Sequence, residues 1–326
     1  MSARMHGGPD AQGVPRLDFS TNANACGPCP QALAVVQAAD ASRYPDAAYA
    51  ALRARLAALH GVGAQRIVIA GSASEFVFRF TAWAKACAMG SASVPRHAYG
   101  DYALAARAFG LELVPEPAGA LAWACEPSSP VGTAHPDLRA IVASGRCVVL
   151  DLAYEPLRLH GQATLDAAEL DRVWQLWTPN KALGLCGVRG AYAIAPAQAA
   201  QAVLALEDLV PSWVLGAHGA AMLQAWCEPA VRHWLQESRA VLRTWKERQE
   251  EVLRSLGLQC MPGDANFITC RTSLAPDALS VLLGALRSRG IKLRDCASFG
   301  LPGHLRLGVQ TPATQDELAA AWKELA

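Results

Sequence analysis

Trp177-Thr-Pro-Asn-Lys181-Ala-Leu-Gly-Leu-Cys-Gly-Val-Arg189-Gly-Ala-Tyr192 is a polar, glycine-containing stretch set between two apolar runs, Val173–Trp177 and Gly190–Ala195. Short apolar runs bounded by turn residues read as buried strands, so Lys181 stands on a loop between two strands. Taken alone, a lysine on such a loop reads as an ordinary surface residue. A buried lysine behaves differently, because it loses its charge readily and can then form a Schiff base with a carbonyl compound. The neighbours of the loop decide between the two.

Thirty residues upstream, Cys147-Val-Val-Leu-Asp151 reads as a strand that ends on a carboxylate. Ligands of α/β sheets bind beyond the carboxyl ends of the strands, where Asp151 could pair with a protonated ring nitrogen. A helix cap or a structural ion pair accounts for a lone Asp equally well. Further strands are read at Arg66–Ala70, Ser91–Val94 and Leu111–Val114, with helical stretches at Ser74–Ala88 and Asp101–Phe109 between them. This is the βαβα alternation of a mainly parallel sheet covered by helices.

Pro211-Ser-Trp reads as a break, followed by one long helical region over Gly216–Leu256. Beyond it, Ala265–Thr269, Leu274–Arg289, Ile291–Leu293, His304–Val309 and a final helix from Thr314 read as a small α+β layer. The expected organisation is an N-terminal arm over residues 1–40 that joins the small domain, a large α/β domain over 41–210 and a smaller α+β domain over 211–326. Single cores stop growing at about 250–300 residues, so 326 residues suit two lobes.

The composition, 52% hydrophobic and 17% charged, is that of a globular protein with a substantial core. A formal net charge of +1 without a basic run excludes the electrostatic footprint of a nucleic-acid or anionic-membrane binder. No apolar stretch approaches the 18 or so residues of a membrane span, and the N-terminal residues lack the apolar stretch of a secretory signal. A cytoplasmic protein is expected. The ten cysteines are scattered rather than arranged as a disulfide framework, and are read as reduced and mostly buried. Cys26-Gly-Pro-Cys29 repeats a thioredoxin-type tetrapeptide but follows a polar segment instead of an apolar strand, so a redox centre is not expected. Neither is a metal site.

In order and spacing these residues resemble the fold-type-I pyridoxal 5′-phosphate (PLP) aminotransferases, over nearly the whole chain. The particular branch is that of histidinol-phosphate aminotransferase and its cobalamin-pathway relative, threonine-phosphate decarboxylase. The loop is similar to the family's S/T-x-S-K-x-x-G-L-x-G-x-R, which puts Thr178 among the cofactor contacts, Lys181 at the cofactor-binding lysine and Arg189 at the phosphate-binding arginine. Asp151-Leu-Ala-Tyr154 resembles D-x-A-Y, implying Asp151 for the pyridinium nitrogen and Tyr154 for the phenolic oxygen. The turn Ser72-Ala73-Ser74 stands where the family opens a helix on the cofactor phosphate. Tyr99 looks like the aromatic residue that stacks on the ring.

Arg43-Tyr44-Pro45-Asp46 is similar to R-Y-P-D, whose Tyr reaches the cofactor phosphate of the neighbouring subunit, so the resemblance implies a homodimer. Leu305-Arg306-Leu-Gly implies an arginine for the substrate α-carboxylate; Asn24 and Arg294 are the other substrate-binding candidates. Two departures stand out. Ser129, in Glu126-Pro-Ser-Ser129-Pro-Val-Gly132, replaces the Asn that bonds the phenolic oxygen, and Asn180 replaces the Ser before the lysine.

The resemblance implies the aspartate aminotransferase-like α/β fold, PLP as cofactor and a phosphorylated amino acid or amine as substrate. Arg294-Asp-Cys296-Ala-Ser-Phe-Gly-Leu301 resembles the cobalamin-pathway branch, so decarboxylation of L-threonine O-3-phosphate is the first expectation and transamination of histidinol phosphate the second. A non-catalytic PLP-fold binding protein is the reading from another class. Retention of Lys181, Asp151, Arg189 and Arg306 together opposes it.

Overall fold

A computed structural model describes residues 6–325. The arm contributes a short strand β1 (Leu17–Asp18) and helix α1 (Pro30–Gln37). Helix α2 (Ala50–His60) precedes an alternation of β2 (Ile67–Ala70), α3 (Ala73–Ala86), β3 (Ser91–Ser93), α4 (Gly100–Ala108), β4 (Glu112–Val114) and β5 (Leu121–Cys125). It continues through α5 (Leu138–Ala143), β6 (Cys147–Asp151), α6 (Ala167–Leu170), β7 (Trp174–Trp177) and β8 (Ala191–Ile194). Helices α7 (Ala200–Asp208), α8 (Ala217–Trp226) and α9 (Pro229–Ser255) follow, then β9 (Gln259–Cys260), β10 (Phe267–Arg271), α10 (Pro276–Ser288), β11 (Ile291–Lys292), β12 (Arg294–Asp295), β13 (His304–Gly308) and α11 (Pro312–Leu325).

Seven strands form one sheet in the order β2-β8-β7-β6-β5-β3-β4. Neighbours are parallel except around β8, which runs antiparallel to both β2 and β7. The mainly parallel sheet is therefore the one expected. Its strand β5 was not: Leu121-Ala-Trp-Ala-Cys125 is alanine-rich, and alanine is a poor strand former. Burial on both faces overrides that preference. Leu121 and Trp123 pack on the α3 side with Phe76, Phe80 and Trp174, whereas Ala122 and Ala124 pack on the other side with Leu138 and Ile141 of α5.

The region expected as one long helix is two, since Pro229 opens α9 and removes a donor that a continuous helix would need. Helix α8 also lies elsewhere than expected. Leu215, Met222, Leu223 and Trp226 share a core with α2, β2 and β8, so residues 215–226 pack with the large sheet rather than with the second lobe. The smaller sheet, β12-β13-β10-β9, is antiparallel and is backed by residues of α9, α10 and α11. The arm serves both units: β1 pairs in parallel with β11, while Ala32 and Val36 of α1 lie in the core of the large one.

Candidate active site

Register brings the first part of the site together. Cys125 at the end of β5 lies opposite Asp151 at the end of β6, which lies opposite Leu176 near the end of β7. The loops that leave these three strands therefore share one edge. Asp151 is 5% exposed. Its Oδ2 accepts from the Tyr102 hydroxyl at 2.6 Å and its Oδ1 from the Ala153 amide at 2.9 Å. Burial holds its carboxyl above the ordinary carboxylate range, against the opposing pull of Tyr102, the Ala153 amide and Lys181. Its two hydrogen-bond donors are neutral, and a buried carboxylate so placed favours a cationic partner.

Tyr102 lies three residues after Tyr99, one helical turn along, and the two rings meet edge-on at 5.7 Å. Its own ring stacks on Trp123 at 5.0 Å with 5° between the planes. The Tyr99 hydroxyl lies 2.8 Å from Ser74 Oγ and 2.7 Å from Asp101 Oδ2. An ionised carboxylate only accepts, so Tyr99 donates to Asp101 and accepts from Ser74. Ser72 caps α3, its Oγ accepting from the Glu75 amide at 3.1 Å. Both hydroxyls of the Ser72-Ala73-Ser74 turn are thus engaged within the protein. What the turn can offer an anion is backbone, because the first-turn amides of a helix lack intrahelical acceptors.

Thr178, one residue past β7, is buried, and among the described residues its Oγ1 has no hydrogen-bond partner. Lys181 Nζ stands 5.4 Å from the centre of the Tyr154 ring. The chain holds five lysines, and Lys85, Lys246 and Lys292 are committed to backbone carbonyls elsewhere. The Lys181 loop is pressed against the arm. Gly184, at φ +67°, comes so close that a Cβ there would sit 3.0 Å from Gly27 Cα, and the Asn24 amide donates to the Lys181 carbonyl at 2.9 Å.

Asn24 corrects an expectation. Its side-chain amide donates to Ala182 O at 3.0 Å and Ser238 Oγ at 2.9 Å, while its Oδ1 accepts from the Cys26 amide at 3.0 Å. Both amide hydrogens are spent on fastening the arm to the lysine loop and to α9, so Asn24 has none to give a substrate. Asn22 is the residue that reaches the site. Its Nδ2 donates to the Tyr154 hydroxyl at 3.2 Å, and its buried Oδ1 has no partner among the described residues.

Tyr154 packs edge-on against Phe267 at 5.0 Å, and the Arg306 guanidinium lies 5.5 Å from the centre of the same Phe267 ring. Arg306 donates to Ser129 Oγ at 2.9 Å and to Ser20 O at 3.1 Å, and its Nε has no hydrogen-bond partner among the described residues. Ser129 thus lies at the site, engaged with Arg306. Arg294 faces Arg306 directly across the β12–β13 pair, and each is 6% exposed. Arg189 is exposed, and among the described residues its side chain makes no ion pair or hydrogen bond. Tyr44 is 76% exposed and stacks on Trp213 at 4.3 Å.

Cys26 and Cys29 are unpaired, and burial pushes the Cys26 thiol up to about 11 and the Cys29 thiol upward too. That is the reverse of an activated thiolate. All ten cysteines are free, four of them buried, five half-buried and Cys87 exposed. Among the described residues no helix is long and apolar enough to cross a membrane.

Asp151, Lys181, Tyr154, Thr178 and the start of α3 fit PLP on this structure's own terms. The buried carboxylate wants a cation, the buried Thr178 hydroxyl wants an acceptor, and the helix end favours an anion. The family model described as Aminotransferase class I and II matches residues 15–322. The chain belongs to this family. It is therefore an enzyme, and PLP is its cofactor.

Among its relatives in the family, a histidinol-phosphate aminotransferase from Symbiobacterium thermophilum is 31% identical over 94% of this chain and 90% of the relative. Another from Jannaschia sp. is 29% identical over the same shares. The solved histidinol-phosphate aminotransferase from Sinorhizobium meliloti in complex with PLP aligns over 99% of this chain and 96% of its own, with a TM-score of 0.80 and 21% identity. L-threonine-O-3-phosphate decarboxylase from Porphyromonas gingivalis aligns over 90% and 91%, with a TM-score of 0.71 and 16% identity. These structures share the aspartate aminotransferase-like fold.

Proposed function

We propose that this class I and II aminotransferase acts on a phosphorylated amine of the histidinol-phosphate type. The observation that carries the reading is full-length relatedness: relatives at 27–31% identity, matched over about nine-tenths of both chains, bear that name. It reverses the order in which the sequence ranked the two reactions. The threonine-phosphate decarboxylase is a neighbour in fold alone at 16% identity. Decarboxylation stays as a second reading on one observation. Arg294 and Arg306 are two buried cations side by side, and a phosphorylated amino acid brings two anions to match.

When bound, PLP supplies the electron sink that allows a bond at the substrate α-carbon to break. In this reading Lys181 Nζ would hold the cofactor and would take and return the substrate's α-proton. Asp151 would keep a proton on the ring nitrogen, and Tyr154, supported by Asn22, would hold the phenolic oxygen. Thr178, Arg189 and the Ala73 and Ser74 amides would take the phosphate, Tyr99 would supply an aromatic face for the ring, and Arg306 with Arg294 would bind the anionic end of the substrate. The exposed Tyr44 has its use at the neighbouring subunit's site, which makes the working enzyme a homodimer.

The test supplies purified, PLP-loaded protein with L-histidinol phosphate plus 2-oxoglutarate, and separately with O-phospho-L-threonine. Glutamate formation in the first assay is expected. Carbon dioxide release in the second, with no glutamate in the first, would transfer the assignment to decarboxylation, and neither product sinks both.

Thr178→Val tests the phosphate assignment. Its lost hydroxyl has no partner among the described residues, so the cofactor-free protein should melt no lower than the parent. A hydrogen bond to a charged group contributes about 1.5–3 kcal/mol, so PLP should dissociate about 10- to 100-fold more readily, as read by dialysis and visible absorbance. A variant that keeps PLP as firmly as the parent removes Thr178 from the cofactor site.

A further inference from the structure

The turn after β12 is exposed at Ala297, Ser298 and Gly300, yet Phe299 within it is folded inward. Its ring lies against both arginines, 4.7 Å from the Arg294 guanidinium and 5.5 Å from that of Arg306. The same turn supplies Ser298, whose Oγ accepts from Arg294 Nη2 at 2.7 Å. Its backbone is closed on itself by Phe299 N to Cys296 O at 2.9 Å and Leu301 N to Cys296 O at 3.1 Å. A second tie leaves the small sheet altogether: His97 Nδ1 lies 2.7 Å from the Phe299 carbonyl, so that nitrogen carries the proton and donates. His97 is two residues before Tyr99, on the loop that enters α4.

Two like charges facing each other across a strand pair repel, and burial removes the water that would screen them. Arg294 reflects this, its guanidinium held below the ordinary range by burial and by Arg306 beside it. An aromatic face attracts each cation without neutralising it. A shared ring can therefore hold the pair together while leaving the positive charge available to an incoming anion.

We infer that Phe299 is a specificity-determining positioning residue: its ring holds Arg294 and Arg306 as a two-cation clamp for a phosphate-bearing substrate. His97 ties that clamp to the Tyr99 loop. The inference rests on the proposed phosphorylated substrate for its biological meaning, and on the arginine pair alone for its physics. The Phe299 ring lies against the two guanidinium groups. Its effect is carried through the arginines, so it belongs to substrate affinity rather than to the chemical step.

The experiment compares Phe299→Leu, Phe299→Tyr and His97→Ala with the parent, each loaded with PLP. Two readouts are used: binding of inorganic phosphate by calorimetry, and KM and kcat for L-histidinol phosphate. Losing two cation–π contacts of ordinary strength is worth roughly tenfold in affinity. Phe299→Leu is expected to raise the phosphate Kd and the KM by about that factor, with kcat and the visible absorbance of PLP near the parent's. Phe299→Tyr, which keeps the ring, should restore both constants, and His97→Ala should weaken phosphate in the same direction with kcat retained. A Phe299→Leu protein that binds phosphate as the parent does, or that loses kcat together with KM and shifts the PLP absorbance, overturns the inference. If the parent turns over no histidinol phosphate, the substrate reading fails, and the phosphate titration still decides the clamp.

Discussion

Replacing Lys181 with alanine is expected to abolish turnover and the visible absorbance of the PLP-loaded protein together. Proton transfer by a positioned side chain is worth about 10²–10⁴ in rate, and the covalent hold on the cofactor disappears as well, so the loss should reach about 10⁴-fold or more. Borohydride treatment followed by intact-mass measurement separates the two contributions. The parent should gain the mass of reduced PLP, and K181A should not. Lys181→Arg keeps a long basic side chain near Tyr154 but cannot form the bond, so it should be equally inactive. The competing lysine is Lys246, whose ammonium is buried and whose pKa is lowered by that burial. It is held by the carbonyls of Gly263 and Ala265. Labelling of K181A at Lys246 would move the cofactor away from the sheet edge and end the assignment.

Asp151→Asn should separate function from stability. Turnover is expected to fall about 10²–10³-fold, the scale observed when a preorganised electrostatic partner of the reacting group is removed. Stability should move the other way in the cofactor-free chain. The folded carboxyl is held above its unfolded value of about 3.9. As pH rises, the unfolded chain therefore loses this proton first, and stability falls through the window between the unfolded and folded values, remaining lowered above it. Asparagine carries no such charge. At pH 7 the cofactor-free D151N protein should melt at or above the temperature of the parent, and addition of PLP should close or invert the gap. A D151N chain that melts well below the parent without PLP would show that Asp151 is a structural carboxylate, held in place by Tyr102 and the Ala153 amide alone.

Much of the candidate site can be proposed from the sequence because its parts are local. Thr178, Lys181 and Arg189 belong to one loop whose spacing is constrained, and Asp151 and Tyr154 belong to one strand end. Residues whose position depends on packing are harder to read. Nothing in Leu121-Ala-Trp-Ala-Cys125 favours a strand until both faces are known to be covered. Asn22 and Asn24 are alike as residues and only two positions apart. Which one reaches Tyr154 is decided by the neighbours of the arm, Ala182 and Ser238 among them, which lie far along the chain. Tyr102 had a local signal, its helical spacing from Tyr99, but the carboxylate it serves comes from another element. Phe299 had none, since its role appears only once two strands bring their arginines face to face.

The contact between Gly184 and Gly27 has a consequence for how the protein can be altered. At this point two backbones meet without side chains between them, and neighbouring residues tie the same arm to the Lys181 loop, to α9 and to the Tyr154 hydroxyl. The arm is therefore a clasp closed over the Lys181 loop. An insertion near residue 27, far from Lys181 in sequence, would displace the lysine as surely as a change beside it.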